Sequence, residues 1–417
     1  MKHFILALIP LLAAATNVAT AQEVLIRNAT VHTAGSQGTL ANTDVLIRAG
    51  KIEAIGKSLA AAGAVVVEAN NRPLTPGLFA GLSAIGIEEV SLEATTVDSS
   101  VKSGAPAYQM EWRPEFDVTA AFNPRSVLIP VARIEGLTWT VLTPSSDGGN
   151  FLAGQGAAIT LDGRYDAVIA GSQSLFVNLG GDSSALSEGS RAGQWMLLDQ
   201  AIRESKSRAP LDAKSLLHPA GREALAKYLS GGRVIFRVNR AVDIRRTLAF
   251  AQRNGLKPVI AGGAEAWAVA AELQQANVPV LLDALANLPD SFDQIGARLD
   301  NAAILNRAGV RVAFTQFGES HNARKIRQLA GNAVAHGLPA DVALAGLTSV
   351  PAQVFGIGGD HGQLARGQVA DVVLWSGDPL EVSTLADAVW IAGRAVDMHS
   401  RQTELRDRYL KRLQSTR

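Results

Sequence analysis

Between residues 23 and 68 the apolar positions come in short runs separated by polar residues and glycine. Glu23–Arg27, Asp44–Arg48, Lys51–Ile55 and Val65–Val67 each read as a short strand, and Gly50 falls where a tight turn is needed between two of them. The same rhythm returns at 369–398, in Ala370–Trp375 and Ala388–Ile391, followed by Gly393 and Ala395-Val396. The two stretches together predict one small antiparallel sheet domain, a β-sandwich built from both ends of the chain over residues 22–74 and 361–400.

The rhythm lengthens in the middle. A strand at Arg233–Arg237 is followed by an amphipathic helix from Asp243 to Arg253, which Gly255 ends. Strands at Pro258–Ala261, Val278–Leu282 and Val310–Phe314 then alternate with helices over 265–276 and 292–308. Repeated βα units of this length predict an α/β fold, a (β/α)8 TIM-type barrel over 75–360. A flat doubly wound sheet is the alternative, but no glycine-rich phosphate loop supports it. Asp147-Gly148-Gly149-Asn150 and Gly154-x-Gly156 read as turns. Residues 98–125, rich in Pro, Ser and Gly, read as a long loop of the kind that covers a barrel mouth. The charged segment 401–417 has a helical pattern.

Lys2 and His3, an apolar run from Phe4 to Ala15 and the small-x-small triplet Ala19-Thr20-Ala21 form a secretory leader over 1–21, with cleavage expected before Gln22. The run is too short to span a membrane as a helix. The expectation is therefore an exported protein, periplasmic or secreted, with no membrane attachment after the leader is removed. Apolar residues make up 47% of the chain, enough for a large core. The 39 Lys and Arg against 38 Asp and Glu fall to parity without Lys2, which gives no case for a nucleic-acid partner. With no cysteine, disulfides, thiolate metal sites and cysteine nucleophiles are excluded.

Leu74-Thr75-Pro76-Gly77-Leu78 resembles the start of the barrel in the amidohydrolase superfamily, close to its imidazolonepropionase-like and dihydroorotase-like members. The run Gly362-x-Leu364-x-x-Gly367-x-x-Ala370-Asp371-x-Val373 is similar to that family's return to the small sheet domain. Ala345–Ala352 resembles its helix after the last strand, where Thr-x-x-Pro-Ala is usual. The resemblance frames residues 23–400 and implies hydrolysis of non-peptide carbon–nitrogen bonds by metal-activated water.

The family's metal ligands are not where the resemblance places them. Its His-x-His falls on Leu82 and Ala84, and the preceding Asp on Ala80. Its bridging residue falls near Phe176-Val177, its later histidines on Arg237 and Gly262, and its last-strand Asp on Gln316 or Phe317. Zinc and the other family metals are thus not expected at the usual site, and no other cofactor is indicated.

Of the remaining histidines, His32, His361 and His399 read as surface residues near the small sheet, and His336 as a helix-end cation; His218 carries no motif. His321 follows the last barrel strand and is a loop residue or a catalytic one. Arg237 and Asn239 share a face of their strand. Arg237 either pairs with Glu265, Asp283 or Glu319 to fill the metal's space or binds a ligand carboxylate. Glu265 begins a helix, and Asp283 reads as a loop cap. Two functions stand open. One is a hydrolase with a displaced or metal-free site. The other is a catalytically inactive protein that binds a small anionic ligand or an envelope partner. Self-association into a homo-oligomer is compatible with either.

Overall fold

The computed structural model describes residues 23–101, 112–145, 151–181, 183, 190–212, 215–288 and 291–415. The expected leader, the Asp147–Asn150 run and residues 102–111 of the expected long loop lie outside the described residues.

The chain opens with β1 (Val24–His32), β2 (Thr39–Arg48), β3 (Lys51–Gly56), β4 (Val65–Glu68) and β5 (Pro73–Pro76). β1 and β2 pair antiparallel, as do β2 and β3, while β4 and β5 run parallel to β1. The β2–β3 connection is Ala49-Gly50, both with positive φ, the geometry of a two-residue hairpin whose twist matches its strands.

The barrel follows. Its strands are β6 (Leu78–Ser83), β7 (Leu137–Leu142), β8 (Leu152–Gly156), β9 (Ala158–Thr160), β10 (Ser174–Asn178), β11 (Arg233–Val238), β12 (Lys257–Gly262), β13 (Val280–Leu282) and β14 (Val312–Phe314). The helices in chain order are α1 (Leu128–Arg133), α2 (Arg191–Lys206), α3 (Pro219–Tyr228), α4 (Ala241–Asn254), α5 (Ala270–Gln275), α6 (Asn301–Arg307), α7 (Ile326–Ala335), α8 (Ala340–Leu347), α9 (Ser349–Val354) and α10 (Arg401–Ser415). β6 runs parallel to β7, and β10 to β14 form a parallel series. Gly255 caps α4 in the left-handed conformation, as its position predicts. The helices predicted over 265–276 and 292–308 are shorter: each starts as a 3-10 turn, at 266–269 and 292–294, and only α5 and α6 are α-helical.

One stave departs from the (β/α)8 pattern. β8 and β9 together occupy the third position and run antiparallel to β10 and β7 respectively. Nine residues separate β7 from β8, too few for a helical crossover and enough for an antiparallel return. The Gly154-x-Gly156 pair lies inside this strand and not in a turn. A Cβ on Gly154 would sit 2.4 Å from the Phe116 carbonyl oxygen, and one on Gly156 would sit 2.0 Å from that of Leu142. These glycines let neighbouring backbone approach. First and last staves are stitched by a side chain: the Leu82 amide donates to Thr315 Oγ1 at 2.9 Å.

The chain then returns to the first sheet through β15 (Val372–Trp375), β16 (Ala386–Ile391) and β17 (Arg394–Ala395). β15 pairs antiparallel with β5, joining Val372 to Pro76 and Leu374 to Leu74. Both chain ends thus form one eight-stranded sheet. Its core includes Ile26, Val45, Ile47, Leu74, Leu374 and Trp390. Asp371 ties the return in place, accepting from the Ala392 amide at 2.8 Å and lying 3.2 Å from His361 Nδ1. His361 is therefore half-buried, not a surface residue. His32 is also half-buried, and burial lowers its pKa against the opposing pull of Asp378. His399 is exposed, and His336 caps the end of α7.

Arg327, on α7, locks barrel and sheet together. Its guanidinium donates to the carbonyls of Pro379, Glu381 and Thr384 at 3.0–3.2 Å and to Glu135 at 3.3 Å, 4.8 Å from the centre of the Trp375 ring. Trp375 donates in turn to Thr75 Oγ1 at 2.9 Å. Arg327→Met keeps the stem and deletes the donors. Chemical denaturation is expected to show a loss of about 3 kcal/mol, the scale for stranding buried partners of a charge. A loss below about 0.5 kcal/mol would show that the carbonyls rehydrate freely and that the joint rests on apolar packing alone.

Candidate functional site

Side chains on alternate strand positions point into the barrel, and the lower positions are apolar. Phe79, Trp139, Phe176, Ile235, Val259, Leu281 and Ala313 fill the interior with Phe355, and the rings of Phe79 and Trp139 stand 4.5 Å apart. Two residues further along their strands or just beyond, the inward positions turn polar: Thr143 above Val141, Asn178 above Phe176, Arg237 above Ile235.

Arg237 reaches across this mouth. Its Nη1 donates to Asn178 Oδ1 at 3.1 Å, and its Nη2 donates to the Pro144 carbonyl at 3.0 Å and to Thr143 Oγ1. The guanidinium lies 5.6 Å from the centre of the Phe176 ring beneath it, a favourable placement for a cation. Residues that the resemblance left unnamed, Thr143, Pro144 and Asn178, are therefore central. The signal for Asn178 was available: it is a lone polar residue closing the apolar strand run that begins at Leu175.

Two cavities open at the mouth and share Arg237 and Phe317. One, of about 290 Å³, is lined by Asn178, Asn239, Gly262, Asp283 and Gln294 among others. The second, of about 560 Å³, is lined by Leu82 and Ala84 and by the polar side chains of Ser99, Ser145, Gln316 and Glu319. Gly262 has φ of +98°, and a Cβ there would lie 2.5 Å from Asn239 Oδ1. Asn239 thus occupies the space of any larger side chain at 262, and it accepts from the Ala264 amide at 3.3 Å.

The acids proposed as partners of Arg237 are placed differently. Glu265 accepts from the Ala241 amide at 3.0 Å and the Gly296 amide at 3.2 Å. Its carboxylate caps α4, a helix other than the turn it begins, and it makes no ion pair with Arg237. Glu319 is exposed at the rim and does not pair with Arg237 either. Asp283 accepts from the Leu285 amide at 3.0 Å, capping its own loop. His321 is exposed in a groove with Glu88, Leu92 and Leu128 that adjoins the larger Arg237 cavity through Glu88, Ser91, Glu319 and Ser320, and His321 lines neither Arg237 cavity. Among the described residues, no group of three His, Asp or Glu side chains could hold a metal ion.

The wall of the smaller cavity is braced from outside. Asp293, next to Gln294, accepts from the Gly181 amide and from Arg191. Arg191 also faces Asp243, whose carboxyl is pushed up by burial against the opposing pull of Arg240 and Arg191. This cluster joins the connections after β10 and β13, and so fixes how far apart the cavity's sides stand.

The fold is similar to that of known proteins. An amidohydrolase crystal structure from Thermotoga maritima superposes with a TM-score of 0.79 at 22% identity, covering 90% of this chain and 99% of that one. Molinate hydrolase matches at a TM-score of 0.54 and 12% identity, over 91% and 96% of the two chains. A prolidase complexed with N-methylphosphonate-L-proline matches at 0.54 and 16%, over 90% and 100%. The fold is that of the amidohydrolases. In sequence, amidohydrolase tasK of Hapsidospora irregularis is 39% identical over 74 residues, 18% of this chain and 8% of that protein's length. No family model matches the chain.

Arg237→Ala removes the donors that span three staves. Equilibrium unfolding should show a loss of about 2–3 kcal/mol, the scale for hydrogen bonds to a charged group. Arg237→Lys should recover less than half of it, because an ammonium does not reproduce the planar fork. An unchanged midpoint for Arg237→Ala would mean that the guanidinium does not hold the mouth together.

Proposed function

We propose that this chain is an amidohydrolase-superfamily protein whose barrel mouth binds a small anionic molecule, without the metal-assisted hydrolysis that the fold supports elsewhere. The observation that carries the reading is the placement of Arg237. A guanidinium stands at the strand end where the resemblance sets a neutral ligand, bonded to oxygens from the ends of two other staves. The residues at the corresponding positions do not fit a divalent cation. Leu82 and Ala84 offer no donor atoms, and Gly262 offers no side chain. Arg237 would add a positive charge beside the ion.

The same group gives the site its selectivity. Arg237 lines both cavities, and its planar fork suits carboxylates. Asn178, Asn239 and Gln294 supply amides that can donate or accept beside it. A volume of about 290 Å³ suits a small molecule. The leader-like segment 1–21 supports an exported protein, with the site facing the periplasm or the exterior.

A second reading, hydrolysis of a non-peptide carbon–nitrogen bond, is favoured by the fold-level likeness to proteins described as amidohydrolase and molinate hydrolase. It would need a base and an electrophile other than a resident metal. Among the described residues, the acids lining the mouth are Glu88 and Glu319 in the larger cavity and Asp283 in the smaller.

Elemental analysis of the purified chain tests the absence of a resident metal that both readings share, and turnover of an amide by the metal-free chain would favour the second. The expected result is zinc, iron and manganese well short of one equivalent, with no rise in thermal midpoint when these ions are added. A thermal-shift screen of small carboxylates should find ligands that stabilise the protein, and Arg237→Gln should lose that stabilisation. Stoichiometric metal that disappears on mutating the mouth residues would overturn the proposal, as would metal-dependent turnover of an amide.

A further inference from the structure

The chain's near-neutral balance hides a separation of charge. Residues 401–417 hold six Arg and Lys against two acids, a net of +4, within a chain whose total is +1. The remainder is therefore slightly acidic. The basic segment folds as α10, and none of its described residues is buried.

The faces of α10 are ordered. Thr403 and Asp407, one turn apart, are its half-buried residues and mark the side turned toward the body. Leu405, Tyr409 and Leu413 are spaced i, i+4 and i+8, and so line up on another side. They are 37%, 57% and 67% exposed, with Leu410 at 48% beside them. Arg401, Arg408 and Arg412 flank one side of this stripe on a helix of 3.6 residues per turn, and Arg406, whose Nε donates to Asp407 Oδ1 at 2.8 Å, flanks the other; Glu404 and Asp407 fall on the far side. Arg412 lies 5.7 Å from the centre of the Tyr409 ring. Apolar side chains bordered by arginine make the pattern of a helix that lies in a lipid–water interface.

We infer that α10 docks the protein onto an anionic phospholipid surface, with Leu405, Tyr409 and Leu413 entering the interface and the flanking arginines meeting headgroup phosphates. Charge decides between occupants. Pairing α10 with its copy in a second chain would bring two segments of +4 together, whereas an anionic surface lowers the energy of each arginine near it. This attachment is peripheral: no helix among the described residues is long and apolar enough to cross a membrane. The composition of the whole chain gives no hint of it, because the acidic remainder cancels the segment's charge.

The test uses residues 22–417, which include every described element and exclude the apolar leader. Co-sedimentation is measured with vesicles of phosphatidylcholine alone and with about a third phosphatidylglycerol. Binding is expected only to the second, and it should fall sharply at about 1 M salt, where the Debye length is about 3 Å. The triple variant Leu405→Ser, Tyr409→Ser, Leu413→Ser leaves the charge unchanged and should weaken vesicle binding at least about tenfold with an unaltered melting curve. Failure to bind the anionic vesicles overturns the inference, as does equal binding to both kinds or binding that survives the triple variant. Sedimentation velocity of the same samples completes the set. Self-association lost in the triple variant, with no vesicle binding, would assign the stripe to a protein partner instead.

Discussion

A closed barrel must be filled, and the filling dictates where chemistry can occur. Phe79, Trp139, Phe176 and Phe355 occupy the interior so fully that no cavity of the mouth extends below them. Every polar inward-facing group is thereby forced to the upper strand ends. Phe176 is also the surface on which Arg237 rests. The aromatic plug and the cationic mouth are one construction: the ring lies beneath the guanidinium, and the oxygens of Thr143, Pro144 and Asn178 surround its edge.

A guanidinium and a bound divalent ion both place positive charge at the mouth, but they are different instruments. A metal with an open coordination position lowers the pKa of a water held on it. A guanidinium has no such position and does not deprotonate. It offers donors in a fixed plane, which orient an anion without activating a nucleophile. Its charge also has to be solvated within the protein, and that demand accounts for the cluster of neutral acceptors from the ends of two other staves. Glu265 shows the complementary economy. It sits beside the mouth, yet both its oxygens are committed to backbone amides, those of Ala241 and Gly296. An acid at a strand end is not by that fact a catalytic acid.

Much of this was legible in the residues. Short apolar runs at both ends announced the shared sheet, and the β5–β15 pairing closes it. Strands β11 to β14 fall within a few residues of their expected positions because alternating apolar runs bounded by Gly and Asn leave little freedom. The reversed third stave was hidden. Gly154 and Gly156 have the composition of a turn, and only the close approach of Phe116 and Leu142 shows why a strand needs them. His361 looked exposed because the sequence gives no sign that Asp371, ten residues on, curls back to meet it. The partners of Arg237 were hidden for a similar reason: Thr143 and Asn178 lie 94 and 59 residues away, and no local pattern encodes so distant a contact.

The residues that hold the fold are largely separate from those that define the mouth. Arg327, Trp375 and Thr75 join barrel to sheet on the outside of the strands, and the plug fills the lower interior. At the mouth, Ala84 and Phe317 stand outside the plug, whereas Leu82 is buried against it, and the amides of Leu82 and Ala84 donate to the hydroxyls of Thr315 and Ser320. Side chains at 84 and 317 can change with little effect on the plug, whereas 82 and 262 are constrained by packing. Position 262 is the most constrained of them. Its left-handed φ favours glycine, and Asn239 fills the space a side chain would enter. A histidine at 262 would have to displace Asn239 and strain the backbone, so this strand end keeps its amide contacts only while 262 stays glycine.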